Sequence, residues 1–338
     1  MSTAPRSLTV AVVGATGAVG QDLVATLARS SLPIGDWRLI ATLGTRTPRM
    51  DVGEADHPVH ALPAESGGSA LWEGVDLAFL CVPPEVAAVH APVLRDRDVP
   101  VVDMSGALAG EAPLAVPAMG VDGLGDFADA GAIVSPSPAS VLLATVLHPL
   151  KALGATGARG TLMLSAGLAG RDGVDELSRQ VVAMFNQGEA PRKVFPTGLA
   201  FDLLPQAGKA ESGWTEAERR ALAETTALLG PPRFPLGLTA VVVPTFSGVS
   251  ASLFVSFDIT PELDTVRQLI EAVPTLQHAE PVPGTRRLAG RPRAVVGRLR
   301  RDPAGQGLHL YAAADNLRFG ASSNALAIAL GMWRDGRL

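Results

Sequence analysis

Few residues in this chain have the chemistry of a reacting group. Cys81 is its only thiol, and a thiolate is the strongest protein nucleophile near neutral pH. Six histidines (His57, His60, His90, His148, His278 and His309) are the side chains that titrate near neutrality. Ser135, Ser137 and Ser140 form a hydroxyl cluster that would need a base to react. Spacing does not join these groups. Cys81 ends an apolar run, where a small buried hydrophobe is the expected reading. His148 sits in a helical pattern just before Pro149 and His309 in a strand pattern, while His57, His60, His90 and His278 fall in loop or helix-surface contexts. No cluster has metal-ligand spacing, so no metal is expected.

The pattern with a defined ligand is made of glycines. In Val10-Ala11-Val12-Val13-Gly14-Ala15-Thr16-Gly17-Ala18-Val19-Gly20 a β-branched run ends in three glycines spaced three apart. Gln21–Leu27 then continues as an amphipathic helix. Strand, tight turn and helix N-terminus together present free backbone N–H groups and the positive end of a helix dipole, the requirements of a pyrophosphate. Gly14, Thr16, Gly17, Ala18 and Val19 are the expected cofactor-binding positions, against the alternative of a structural turn with no ligand. A second strand, Trp37–Thr42, leads into Leu43-Gly44-Thr45-Arg46-Thr47. That segment would meet the adenosine ribose. It carries no acid and one arginine, so Thr45 and Arg46 suit the 2′-phosphate of NADP, with NAD or a solvated loop arginine as the alternatives.

The elements that must position these residues alternate. Val75–Val82, Val99–Asp103 and Ala132–Val134 read as strands of a parallel sheet. A helix follows Pro84 to Arg95, with Pro92 inside it. This predicts a Rossmann-type, doubly wound parallel sheet. The Ser135–Ser140 segment leads into a helix at Val141–Leu153 and marks a crossover. Beyond it, strands at Gly160–Ser165, Thr239–Val243, Ser250–Phe257, Ala294–Leu299 and Leu308–Ala313 mix with helices at Asp172–Asn186, Thr215–Leu229 and Pro261–Ala272. Thr215 and Glu218 have capping-box spacing. A last helix spans Leu317–Trp333. The expected domains are 1–135 with 317–338 for the dinucleotide, and 136–316 as an α+β substrate and dimerisation domain.

Bulk properties narrow the class further. The chain has 338 residues, 47% of them hydrophobic and 18% charged, enough to fill two cores. No apolar run is long enough for a membrane span. One cysteine excludes an intramolecular disulfide, and the N-terminal residues have no signal-peptide core, so a cytoplasmic protein is expected. Net charge is −5. The basic cluster Arg286, Arg287, Arg291, Arg293, Arg298, Arg300 and Arg301 has no interleaved aromatics and reads as a solvated face, so no nucleic-acid partner is expected.

These motifs, in this order, resemble the aspartate-semialdehyde dehydrogenase family over essentially the whole chain. The residues that carry the resemblance are Gly14–Gly20, Val101-Val102-Asp103-Met104-Ser105, Pro113–Pro117, Asp175-Glu176-Leu177, Leu199–Pro205, Glu224-Thr225 and, most specifically, Ala314-Asp315-Asn316-Leu317-Arg318-Phe319-Gly320-Ala321. The resemblance implies NADP as cofactor, Gly167 and Asn316 on the cofactor side, and a homodimer. It also implies a cysteine nucleophile, an orienting glutamine, a carboxylate-binding arginine and a histidine acid–base. The chain departs at each of those positions. The nucleophile falls on Pro138, the glutamine on Leu164, the arginine on Val242 and the histidine on Val249, while a phosphate-binding arginine falls on Ala109. None of these side chains donates, accepts or titrates. The chain therefore also resembles Usg-type paralogues, which keep the Asp-Asn-x-Arg-Phe-Gly ending and lack the cysteine. The expectation is a dinucleotide-binding, dimeric homologue without the family reaction. The alternatives are an active NADP-dependent oxidoreductase on a more apolar aldehyde or acyl substrate, and a partner subunit for an active paralogue.

Overall fold

The computed structural model describes residues 7–42, 48–63, 69–119 and 131–338, which fall into two compact units. The first comprises the described residues of 1–136 together with 321–338, and the second comprises 137–320.

The first unit contains β1 (Leu8–Val13), α1 (Ala18–Leu27), β2 (Ile34–Ala41), β3 (Arg49–Val52), β4 (Ala55–Ala61), β5 (Leu77–Leu80), α2 (Pro84–Arg95), β6 (Val101–Asp103) and β7 (Ala132–Val134), and ends in the C-terminal helix Ser323–Arg334. Its strands order as β3-β4-β2-β1-β5-β6-β7. All pairings are parallel except β3 with β4. Period-two alternation divides β1 between two cores. Val10 and Val12 pack in a cluster with Leu23 and Leu27 of α1 and with Ile328 of the C-terminal helix. Ala11 and Val13 pack in another with Ala87, Ala91 and Leu94 of α2. Apolar side chains on both faces are what a doubly wound parallel sheet requires. Each fully buried Val or Leu contributes roughly 1.5–3 kcal/mol relative to exposure.

The second unit contains α3 (Pro138–Ala152), β8 (Ala155–Leu164), α4 (Gly170–Phe185), the short β9 (Ala210–Glu211) and β10 (Trp214–Thr215), α5 (Glu216–Leu229), β11 (Leu236–Val242), β12 (Val249–Phe257), α6 (Leu263–Ala272), β13 (Leu276–His278), β14 (Ala294–Arg301) and β15 (Gly307–Ala314). Its main sheet is mixed and ordered β11-β8-β12-β15-β14-β13. Helix α3 starts a turn earlier than the Val141 expected from periodicity. Proline at its first position is favoured there, and the Ser137 hydroxyl caps it by accepting from the Ser140 N–H at 3.3 Å. Helix α5 opens with the Thr215/Glu218 capping box, complete in both directions. Its C-terminal carbonyls at Leu229 and Gly230 accept from Lys151 Nζ of α3, at 2.7 Å each.

Three placements correct the sequence reading. His57 and His60 lie in β4, and His278 lies in β13, not in loops. His90 is buried in α2 and does not face solvent. The last helix starts not at Leu317 but at Ser323, after a π turn at Arg318–Ser322. Among the described residues no helix is long and apolar enough to cross a membrane.

Candidate functional site

The glycine turn of the first unit is shaped by its own backbone. Gly14 has a φ of +86°, and a Cβ there would lie 2.3 Å from the Cys81 carbonyl oxygen. A Cβ on Gly20 would lie 2.1 Å from the Gly14 oxygen. Neither position admits a side chain. The N–H groups of Gly14 and Ala15 both donate to the Ile40 carbonyl, at 2.8 and 2.9 Å, which fixes the turn to β2. Gly17 is the N-cap of α1, with φ −72° and ψ 167°, and no side chain caps the helix. The first turn of α1 carries no acid. The N–H groups of Ala18 and Val19, in that first turn, have no partner within the helix. An uncapped helix start behind a turn that admits no side chain at Gly14 or Gly20 fits a dinucleotide pyrophosphate. Thr16 lies in this turn, partly buried. Thr45 and Arg46, expected at the ribose, lie outside the described residues.

Close by, Asp103 at the end of β6 is fully buried. Its carboxylate accepts from the N–H groups of Ser105 (2.8 Å), Gly106 (3.3 Å) and Leu108 (2.9 Å), and from the Ser105 hydroxyl (2.5 Å). It shapes the 103–108 loop, which runs on to Ala109. Cys81 is partly buried, with Sγ 3.4 Å from the Met104 sulfur. Burial, helped by the Asp103 carboxylate, pushes its thiol up to about 12. It is therefore a neutral, weakly nucleophilic thiol at physiological pH.

In the second unit the structure brings together three of the positions at which the chain departs from the family. Leu164 at the end of β8 pairs in register with Val242 of β11 on one side and with Val249 of β12 on the other. Val249 pairs in turn with Ala314 of β15, and Val242 bridges to Leu204. Residues directly opposed in a sheet project to the same face. Leu204, Val242, Leu164, Val249 and Ala314 thus make one row, each at most 6% exposed. A glutamine, an arginine and a histidine at three of these positions would converge across neighbouring strands. The side chains present form a dry apolar strip. Pro138 occupies the N-terminal position of α3, packed so closely that a Cβ on Gly320 would lie 2.5 Å from its own Cβ.

Two more of the expected residues meet. A Cβ on Gly167 would lie 3.3 Å from Asn316 Nδ2. Asn316 Oδ1 accepts from the Gly248 N–H at 2.6 Å. Asp315 acts as a cap, accepting from the N–H groups of Leu317 and Arg318 through Oδ1 and of Gly290 through Oδ2. The Ser165 hydroxyl is buried beside Gly167 with no hydrogen-bond partner among the described residues.

No histidine completes a catalytic pair with the serine cluster. His148 is held below its usual range by burial and by Lys151. His90 is lowered by burial, against a bond to the Pro63 backbone, and stacks at a tilt on Trp72. His309 bonds Asp302 at 2.8 Å on the β14–β15 hairpin. Ser137 and Ser140 share a hydrogen bond of 2.9 Å with each other. No metal-binding group of acids, histidines and cysteine occurs among the described residues, and the seven-arginine cluster is exposed throughout.

Glu176 and Glu224, read in the sequence only as motif residues, are buried acids with backbone partners. Glu224 accepts from the Ser137 N–H at the start of α3 (2.8 Å) and pairs with Arg220 Nε (2.8 Å). Glu176 accepts from the N–H groups of Lys193, Val194 and Phe195, and Gln180, one turn on, accepts from Leu199 and Ala200. Burial opposes the Glu176 charge, but those three N–H groups outweigh it and hold the carboxyl below its usual range. Their i,i+4 spacing on α4 was the available signal, but their partners lie 11 to 20 residues away in sequence.

Residues 9–124 match the family described as semialdehyde dehydrogenase, NAD binding domain, and residues 163–319 match semialdehyde dehydrogenase, dimerisation domain. The chain is 32% identical to a USG-1 protein homologue of Pseudomonas aeruginosa, over 96% of this chain and 97% of that one. It is 26% identical to an aspartate-semialdehyde dehydrogenase of Shewanella violacea, over 98% and 99%. A solved structure of a probable aspartate-semialdehyde dehydrogenase from Pseudomonas aeruginosa superposes with a TM-score of 0.91 at 31% identity, covering 97% of this chain and 99% of the other. With a glycine turn suited to a dinucleotide in one unit and a mixed sheet that gathers the expected site positions in the other, the chain belongs to the aspartate-semialdehyde dehydrogenase family.

Proposed function

We propose that this chain is a cytoplasmic, homodimeric NADP-binding member of its family that does not carry out the phosphorylating dehydrogenation of aspartate semialdehyde. The observation that carries this reading is the register row Val242–Leu164–Val249. It gathers three of the positions a charged substrate would need and fills them with buried aliphatic side chains. Pro138 at the start of α3 offers no nucleophile, and Cys81 is held as a neutral thiol.

Gly14, Thr16, Gly17, Ala18 and Val19 are the proposed pyrophosphate contacts. Thr45 and Arg46 are proposed for the 2′-phosphate, and Gly167 and Asn316 as cofactor-side residues of the second unit. When bound, the nicotinamide would supply hydride chemistry. The match to a dimerisation domain supports a second copy of this chain as partner.

The test pairs two measurements on the purified chain. Calorimetric titration with NADP is expected to show binding. NADP reduction with aspartate semialdehyde and phosphate is expected to stay at the blank rate. Turnover matching an authentic family enzyme assayed alongside, or no heat of binding for NADP or NAD, would overturn the reading. A second reading, an oxidoreductase for a more apolar aldehyde or acyl group, draws on the same apolar row. Turnover of a long-chain aldehyde in that assay would select it.

A further inference from the structure

Within the second unit, a cavity of about 530 Å³ opens between the start of α5 and the segments around Phe195 and Leu204. Its volume lies in the range of small-molecule sites. Its lining divides sharply by chemistry. Apart from Gln206, Lys209, Glu216 and Arg220, every lining residue is aliphatic, aromatic, proline or glycine. The floor includes Val242, Leu204 and Phe195, exposed by 2%, 5% and 5%. Val242 and Leu204 are fixed to each other by two backbone hydrogen bonds, of 2.9 and 3.0 Å.

The rim carries two cations whose donors are open. Arg220 is anchored through Nε alone, to the buried carboxylate of Glu224, which is itself held by the Ser137 N–H. Its two Nη groups have no protein partner, and neither has Lys209 Nζ, among the described residues. A guanidinium held at its inner nitrogen, with both outer nitrogens free, is set to grip a carboxylate with two hydrogen bonds. Glu216 is the only acid in the lining. Glu216 and the Glu224 carboxylate behind Arg220 balance the two cations, so the rim is near neutral but keeps open cationic donors above a dry floor.

We infer that this cavity binds a small aliphatic carboxylate, its head on Arg220 and Lys209 and its apolar tail against Val242, Leu204 and Phe195. The inference goes beyond the reading above and does not depend on it. The ligand's tail carries no second charged group, because the floor of Val242, Leu204 and Phe195 offers such a group no partner.

The test is calorimetric titration of the full chain with butanoate, hexanoate, aspartate and inorganic phosphate at matched ionic strength. Hexanoate should bind tightest, with about a fourfold gain per added methylene. Aspartate and phosphate should bind more weakly than butanoate. Arg220→Met keeps the stem, removes the guanidinium and should weaken every acid by about tenfold while leaving the chain-length dependence intact. Val242→Thr conserves shape and should flatten the chain-length dependence. Thermal denaturation checks that both variants fold.

Phosphate binding as tightly as hexanoate would reduce the site to an anion site and overturn the inference. So would an unchanged affinity in Arg220→Met, or no binding by any acid. NADP titration and turnover are read separately. A chain that binds NADP without turnover but binds no acid sinks this inference alone, and one that binds hexanoate but no dinucleotide sinks only the earlier reading.

Discussion

The turn around Gly14 and the row through Leu164 differ in what makes them. The turn is a backbone site. Gly14 and Gly20 are excluded from carrying side chains by carbonyl oxygens of the chain itself, at Cys81 and at Gly14. The row would be a side-chain site. Its strands hold the same register whatever projects from them, and here aliphatic groups project. A function written in side chains can be lost while the sheet stays packed, and the buried leucine and valines even add to the core. A function written in backbone cannot be lost so easily, because the residues that make it also make the fold. Persistence of the glycine turn is therefore weaker evidence for binding than the row is against catalysis.

The largest expected effect tests the structural half of that contrast. Gly20→Ala places a Cβ 2.1 Å from the Gly14 oxygen and 2.8 Å from the Gly14 carbonyl carbon and Ala15 Cα, all of them backbone. It should destabilise the chain by about 3 kcal/mol, as overpacking against atoms that cannot move aside. Denaturant unfolding reads this directly. A change under about 0.5 kcal/mol, within the usual range for surface substitutions, would show that the turn is loose and its shape is not imposed by packing.

Val249→His puts a reacting group back at its family position. The imidazole would enter a site that is 1% exposed, between Leu164 and Ala314. A buried polar group with no partner should lower stability by roughly 2 kcal/mol. If the variant instead unfolds at the wild-type midpoint, the row is an open site kept ready for side-chain chemistry, and the difference between turn and row disappears.

Much of this architecture was legible in the sequence. The capping box at Thr215 and Glu218, and the strand–turn–helix from β1 to α1, are local, and local hydrogen bonding decides them. The departures at Pro138, Leu164, Val242 and Val249 were legible too, but only one at a time. That three of them share a register depends on pairings between β8, β11 and β12, separated by scores of residues. Strands β3 and β4 were missed because the Arg49-Met50-Asp51-Val52 alternation spans only four residues, and Asp56, His57, Pro58 and His60 break any alternation in β4. The cavity beside Arg220 was invisible for the reason the backbone partners of Glu176 and Glu224 were. An arginine looks solvated until Glu224, four residues on, proves to be buried.

Glu176 carries a smaller effect, with a sign fixed by its environment. Its carboxylate takes N–H groups from Lys193, Val194 and Phe195. The folded chain therefore holds it below the ordinary 4.5. A depressed carboxyl contributes stability that is present above the unfolded value and lost as pH falls through the folded one. Glu218, held low by Thr215 and Ala240 against the opposing effect of burial, acts with the same sign. Glu176→Gln should be about 1–2 kcal/mol less stable than wild type at pH 7, since an amide nitrogen cannot accept. The two unfolding free energies should converge as pH drops below 4.5. A gap that stays constant down to pH 3 would show that the 193–195 segment is held by packing and not by this charge.

The smallest change in stability separates the two roles of the turn. Gly17 already has the extended dihedrals of an N-cap, and a Cβ there would meet only the Gly14 oxygen, at 3.3 Å. Gly17→Asp supplies the capping carboxylate that α1 lacks, and an acid to a first turn that has none. Stability should rise by about 0.5 kcal/mol. The same carboxylate would stand where a pyrophosphate must sit, on the same N–H groups, and its charge would repel the ligand. NADP titration should then show no binding by a chain that is at least as stable as wild type. Gly17→Asn has the same shape without the charge and should keep measurable affinity. Equal NADP affinity in all three chains would mean that nothing anionic occupies the helix start. The glycine turn would then survive only as a piece of folding geometry, and both halves of the molecule would have lost their chemistry in the same way.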